Sequence, residues 1–139
     1  MRTVTVHLVR ADRKEVESVL ADRYPRQSSP WIHDREGDPV LYINIDETAA
    51  VEPEEHSTLV SALGENFLTV SADVSGRHAG DEEVAQFVEL LLTQFSGFAA
   101  DGYTSTLWAL DDIRQDRTVK GHRFFDYRGW YADSKSDAH

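Results

Sequence analysis

The chain of 139 residues contains no cysteine and no long hydrophobic run. The lack of cysteine excludes disulfide bonds, thiol nucleophiles and cysteine-ligated zinc, and it fits a reducing compartment. No apolar stretch approaches the roughly 20 residues that a membrane helix needs. The N-terminus alternates apolar and polar residues, unlike the continuous apolar core of a signal peptide. We therefore expect a cytoplasmic protein that makes no contact with membranes.

Familiar motifs of catalytic and nucleotide-binding sites are also missing. There is no GxSxG, P-loop or GxGxxG sequence, and no two of the six histidines have the spacing of a helical or strand metal site. Adjacent carboxylates such as Asp111 and Asp112 point away from each other on a helix and cannot share a proton. We expect a protein that is not an enzyme and that holds neither cofactor nor metal.

Positive charge is scarce in the middle of the chain. Residues 34 to 83 contain thirteen acidic and two basic residues, so this segment alone carries the net charge of −11. A carboxylate-rich face repels nucleic acid and accelerates association with a basic partner. We therefore expect no binding of nucleic acid. The acidic surplus has two interpretations, which are solubility and recognition of a basic protein.

The length fits one domain, which we place at residues 1–133, with 134–139 as a disordered tail. Residue patterns predict four strands, which are Arg2–Val9, Val40–Asp46, Phe67–Gly76 with one solvent-facing side, and Thr104–Leu110. Three helices are predicted, within Ala11–Tyr24, Val51–Phe67 and Gly80–Phe95. Asp12 is the expected N-cap of the first helix and Asp81 that of the third. Arg26–Pro39 has the composition of a loop.

This alternation predicts an α+β fold with a mixed sheet of about four strands and three helices. An irregular aromatic segment, "KGHRFFDYRGWY" at Lys120–Tyr131, follows the last strand. Each of its five rings can bury roughly 150 to 250 Å². We expect the segment to pack back on the domain, although some of its rings could instead serve as binding anchors.

The sequence "FSGFAADGYTSTLWALDDI" at Phe95–Ile113, followed by "GHRFFDYRGWY" at Gly121–Tyr131, resembles immunity protein seven, a family of bacterial polymorphic-toxin immunity proteins. The resemblance covers about a fifth of the chain. It implies an α+β protein that binds a cognate secreted toxin domain and blocks it without covalent chemistry. The residues that match the family pattern, and that we expect to be structural, are Trp108, Phe124, Phe125, Asp126, Tyr127, Gly129 and Trp130.

Many secreted toxins are nucleases with basic clefts, which a carboxylate-rich surface can occupy as a mimic of phosphate. The acidic segment thus supports the resemblance independently. The residues that we expect to contact the toxin are Asp34, Glu36, Asp38, Glu52, Glu54, Glu55, Asp81, Glu82 and Glu83.

Two other functions remain open. The loop Ser75–Glu83 combines hydroxyl, guanidinium, imidazole and carboxylate groups, so it could serve a small hydrolase or transferase with His78 as the base. Helix capping and a turn explain the same residues without catalysis. Alternatively, the chain could be a structural or assembly protein that dimerises through its aromatic segment.

Overall fold

A computed structural model describes residues 2–25, 27, 31–46, 61, 67–76, 79–101, 106–119 and 121–126. Within these residues the chain forms five strands and three helices. The strands are β1 (Arg2–Val9), β2 (Trp31–Arg35), β3 (Asp38–Asp46), β4 (Phe67–Val74) and β5 (Gly97–Ala100). The helices are α1 (Arg13–Arg23), α2 (Asp81–Gln94) and α3 (Leu110–Arg114).

The five strands form one sheet in the order β2-β3-β4-β1-β5, and every neighbouring pair is antiparallel. β1 and β4 pair along their whole length, from Arg2 opposite Val74 to Val9 opposite Phe67. The predicted α+β class is confirmed. The prediction of a mixed sheet of about four strands is wrong in its details, since the sheet has five strands and the described residues contain no parallel pair.

The main core lies between one face of the sheet and the helices α1 and α2. Alternate residues of β1 point into it, namely Val4, Val6 and Leu8, each fully buried. The helices contribute residues at three- and four-residue spacing, as an amphipathic helix requires. These are Val16 and Leu20 of α1 and Val84, Phe87, Val88 and Leu91 of α2. The predictions of both helices and of β1, β3 and β4 are confirmed.

The opposite face of the sheet is also partly buried, which corrects the expectation that one side of β4 faces solvent. Thr69 and Ser71 are buried, and Phe67 forms a second small cluster with Val9, Phe98 and Leu107. On the neighbouring strand, His7 is buried beside Thr69, with 2.9 Å between its Nδ1 and Thr69 Oγ1. Burial lowers the pKa of His7 to about 4, so the imidazole is neutral in the folded protein at pH 7.

The predicted loop at residues 26–39 contains a strand, so this prediction is wrong. Trp31–Arg35 forms β2, which pairs with β3 across the two-residue turn Glu36-Gly37. Both turn residues have positive φ, 52° and 87°, as a type I′ hairpin turn requires. Glycine adopts this conformation without steric cost, which explains its place in the turn.

A β-bulge in β3 changes which side chains of the hairpin reach the core. His33 lies opposite Leu41 and Asp34 opposite Pro39, so Val40 is an extra residue between them. Val40 and Leu41 are adjacent in sequence, yet both are fully buried in the main core. The bulge therefore shifts, by one residue, which side chains of β3 face the main core next to the turn.

The outer edge of β2 is partly closed by a side chain. Gln27 accepts a hydrogen bond from Ile32 N at 2.7 Å and donates one to Ile32 O at 3.3 Å. The side-chain amide of Gln27 thus forms the two hydrogen bonds with the Ile32 backbone that a neighbouring strand would form. Covered edge groups of this kind disfavour edge-to-edge association.

The prediction of a strand at Thr104–Leu110 is corrected, and a strand that was not predicted lies before it. Gly97–Ala100, whose glycine and alanines indicate a break in the pattern, forms the edge strand β5. The predicted strand Thr104–Leu110 is reduced, in its described part, to a single β-bridge between Trp108 and Ala99. The backbone N–H groups of these two residues donate to each other's carbonyls at 2.8 Å. The following residues form the short helix α3.

The helix predicted within Val51–Phe67 lies outside the described residues, apart from the helical Ser61 and from Phe67, which begins β4. At α2, the N-cap is Gly80 and not the predicted Asp81, which is the first residue of the helix. Among the described helices, none is long and apolar enough to cross a membrane.

We predict that Gly97→Ala destabilises the fold, because a Cβ at this position would meet the carbonyl oxygen of His7 on the paired strand. Backbone cannot move aside as a flexible side chain can, so we expect a loss of about 2 kcal/mol or more. Denaturant unfolding measures the loss. Gly76→Ala is the matched control, since a Cβ added at Gly76 would meet no atom within 4 Å. Equal stabilities of the two variants would contradict the close approach.

We predict that acidification from pH 6.5 to pH 4 destabilises the protein through His7. Its folded pKa of about 4 lies below the ordinary 6.5, so the unfolded chain binds the proton first and stability falls as the pH drops. The His7 contribution is of the order of 3 kcal/mol at pH 4. Urea unfolding should show a flatter pH dependence for His7→Gln. The control Thr69→Val, which keeps the imidazole, should retain the slope; an unchanged slope in His7→Gln would refute the assignment.

Candidate acidic interaction surface

An ion pair connects the β2–β3 hairpin to the first turn of α2. Arg35, at the end of β2, donates to Glu83 through Nε at 2.8 Å and through a terminal nitrogen at 2.7 Å. This bidentate geometry is the strongest arrangement of an arginine with a carboxylate. Glu83 is the third residue of α2, where the helix dipole also favours negative charge. The contact therefore holds the hairpin against the helix.

The environment of this pair determines the charge of Glu83. The carboxylate is buried, with its side chain 7% exposed, whereas the Arg35 side chain is 48% exposed. Burial by itself raises the pKa of Glu83, but the hydrogen bonds and the charge of Arg35 outweigh it and hold this pKa below its ordinary value. Both partners are thus charged at neutral pH.

Carboxylates from two distant parts of the sequence lie near this ion pair. Glu83 is the main cause that raises the pKa of Arg35, and the charges of Glu82 and Glu36 raise it further. Asp34, Glu36 and Glu82 are exposed, and Asp38 and Asp81 are half-buried. We call these residues the acidic surface, which consists of Asp34, Glu36, Asp38, Asp81 and Glu82.

Glu83 is the one remaining predicted contact residue that the structure describes. Glu83 is buried and bonded to Arg35, so it supports the hairpin, and its contact with a toxin stays a prediction. Glu52, Glu54 and Glu55 lie outside the described residues. Arg35 is not among the residues predicted above, although it is one of only two basic residues among thirteen acidic ones in residues 34–83. A single arginine among so many carboxylates indicates an ion pair.

A buried polar pair supports the hairpin from the core side. Tyr24 Oη and His33 Nδ1 are 2.9 Å apart, and the Arg23 guanidinium lies 5.0 Å from the centre of the Tyr24 ring. Burial raises the pKa of Tyr24 to about 12, while burial and the charge of Arg23 lower the pKa of His33. Both groups are therefore neutral at pH 7, as expected of a structural hydrogen bond between the end of α1 and β2.

The described part of the aromatic segment packs on the domain. Trp108 and Phe125 are buried, and the ring centres of Trp108 and Phe124 are 5.8 Å apart. Phe125 has a positive φ of 54°, and its N–H donates to the buried Asp101 carboxylate at 3.0 Å. This bond holds the chain in an unusual turn. Asp126 lies 3.1 Å from His122 Nδ1. Tyr127, Gly129 and Trp130 lie outside the described residues.

A cavity of about 160 Å³ lies between α2 and the aromatic segment. It is lined by Asp81, Val84, Ala85, Ile113, Asp116, Arg123, Phe124 and Phe125. Asp81 contributes to both this cavity and the acidic surface. Its Oδ1 atom is buried and has no hydrogen-bond partner among the described residues.

The structure does not test the catalytic interpretation of the Ser75–Glu83 loop, because Arg77 and His78 lie outside the described residues. In the part of the chain that is described, no three histidine or carboxylate side chains form a group that could hold a metal ion.

No protein-family model matches the chain, and no curated protein or solved structure is significantly similar to it. The resemblance to immunity protein seven stays a prediction.

We predict that Glu83→Gln destabilises the fold by about 1 to 2 kcal/mol at pH 7, because charged hydrogen bonds are lost beside a half-exposed arginine. The folded pKa of Glu83 is lowered, so its contribution is complete above the ordinary carboxylate pKa and is lost as pH falls through the folded value. Unfolding measured at pH 7 and at pH 3 should show a smaller difference between variant and wild type at pH 3.

The control for this ion pair is Glu89→Gln, on the same helix as Glu83. It removes the exposed ion pair between Glu89 and Arg114. Exposed pairs contribute little, so this variant should remain within about 1 kcal/mol of wild type. If both variants lose the same stability, the hairpin is not held by Glu83.

Proposed function

We propose that this chain is an immunity protein that binds a cognate toxin domain in the cytoplasm and blocks it without covalent chemistry. The observation that carries the proposal is the Arg35–Glu83 ion pair, since it fixes two groups of carboxylates, 48 residues apart in sequence, beside one another. The toxin as partner comes from the resemblance of residues 95–113 and 121–131 to immunity protein seven.

The position of the exposed carboxylates favours binding over catalysis. Asp34 lies near the end of β2, Glu36 in the hairpin turn and Glu82 in the first turn of a helix, and all three are exposed to a large partner. Arg35 is paired with Glu83, so its guanidinium does not cancel the field of the exposed carboxylates. A surface of this kind attracts a basic protein from a distance and orients it before contact.

The proposed mechanism of inhibition is steric and electrostatic. A toxin that binds nucleic acid presents basic side chains in its cleft, and carboxylates can occupy the positions of phosphates. The hairpin is held by the ion pair and by the Tyr24–His33 bond, so little order must be gained on binding. Such preorganisation improves affinity without additional contacts.

The test is co-purification of this chain, tagged, with the toxin-like open reading frame nearest to it. We expect a stoichiometric complex that dissociates more readily as salt rises. Glu36→Lys combined with Glu82→Lys should slow association at least about tenfold at low salt, while the protein stays folded.

The matched control is Glu15→Lys combined with Asp111→Lys, which changes the net charge equally at exposed sites outside the acidic surface. Equal slowing by the two double variants would assign the effect to net charge and refute a specific surface. The absence of any complex with the neighbouring gene product would refute the proposed function.

A further inference from the structure

The cavity beside the first turn of α2 has the size of a single side chain. Its volume of about 160 Å³ is close to that of cavities that accept one benzene ring. A whole substrate needs a pocket of roughly 300 Å³ or more. The cavity therefore suits an anchoring side chain from another molecule.

The walls of the cavity combine apolar and aromatic surface. Val84 and Phe125 are buried, and Ile113 and Phe124 are partly exposed. The Trp108 ring contacts Phe124 at 5.8 Å with an interplanar angle of 63°, which restrains the Phe124 ring from one side. An occupant thus meets aliphatic side chains and a restrained aromatic ring.

The charged groups around the cavity favour a cation. Asp81 and Asp116 supply two carboxylates, whereas Arg123 supplies the one basic group among the described lining residues. Asp81 Oδ1 is buried and has no hydrogen-bond donor among the described residues, an unfavourable state for a carboxylate oxygen. A positive charge beside Asp81 compensates for this cost.

We propose that the cavity receives the side chain of an arginine from a protein partner. The aliphatic part of an arginine fits against Val84 and Ile113, and its planar head can stack on Phe124 while it faces a carboxylate. Arginine is also enriched among the residues that dominate binding energy at interfaces.

The cavity is continuous with the acidic surface, because Asp81 belongs to both and Glu82 follows it on the helix. That the arginine belongs to the toxin domain rests on the proposed function. The preference of the cavity for a guanidinium group does not, and small probes can test it without any partner.

The experiment titrates the full chain with n-propylguanidinium, n-butylammonium and n-butanol, and follows the backbone amide signals of Val84, Phe124 and Phe125 by NMR. We expect saturable shifts with the guanidinium probe, weaker ones with the ammonium and none with the alcohol. Equal binding of the ammonium overturns the assignment to arginine. Equal binding of the alcohol, or no binding of any probe, overturns the cation site.

Three variants distinguish charge recognition from a merely apolar cavity. Asp81→Asn should weaken binding of the guanidinium probe at least about tenfold, because a charged partner is lost. Arg123→Gln should strengthen binding, because a competing cation is removed. Asp111→Asn, the same change at an exposed site outside the cavity, should have no effect. If Asp81→Asn lowers the melting temperature, the test rests on Arg123→Gln, because Arg123 is exposed. An unchanged affinity of Arg123→Gln for the guanidinium probe overturns the proposal.

The toxin partner separates this proposal from the proposed function. If the complex forms but Asp81→Asn leaves its dissociation rate unchanged, the anchor is refuted and the immunity function stands. If the guanidinium probe binds as expected but no toxin complex forms, the cavity stands and the toxin as partner is refuted.

Discussion

The ladder between β1 and β4 is the interaction on which the rest of the fold depends. It joins two segments that are distant in sequence through eight consecutive residue pairs, in the centre of the sheet. Because side chains alternate between faces, this one register sends Val4, Val6 and Leu8 toward the helices and His7 toward the opposite side. A shift by one residue would bury the polar set in the main core, so the register is strongly specified. β5 and β3 then add to the two free edges of the pair.

The acidic surface is a consequence of this sheet and of two local devices. The Glu36-Gly37 turn forms the hairpin, and the bulge at Val40 offsets the strand beside it. Arg35 then meets Glu83 on a helix that is positioned by its apolar stripe. A single buried carboxylate thereby converts two sequence-distant acidic groups into one surface. The energetic reason is that Glu83, once buried, requires a charged donor, and Arg35 supplies two hydrogen bonds.

Sequence reasoning succeeded where periodicity was strong and failed where composition misled. The apolar stripe of α2 and the alternation of β1 were both recognised, since these patterns reflect burial directly. β2 was missed because Ser, Pro and Gly flank its five residues. β5 was missed because it begins with Gly97, which suggested a break. In fact this glycine allows the strand to approach the His7 carbonyl, a requirement that only the neighbouring strand creates.

Within the acidic surface, the sequence indicated the charges but not their roles. Thirteen carboxylates in fifty residues predicted an acidic face, and no local pattern distinguished the buried Glu83 from the exposed Glu82 beside it. The same holds for the aromatic segment, whose composition predicted packing but not the cavity that Phe124 and Phe125 line with α2.

The sequence by itself determined the α+β class, the amphipathic helices, the negative charge of the middle segment and the lack of cysteine chemistry. Each of these follows from local composition or from the period of apolar residues, which neighbouring residues alone define. The tertiary structure decided the antiparallel strand order, the pairing of Arg35 with Glu83, the burial of His7 and the joining of Asp81 to the aromatic segment. These features depend on which distant segments meet. Many weak packing and hydrogen-bonding interactions across the chain together determine which distant segments pack against each other. A short stretch of sequence does not reveal their combined effect.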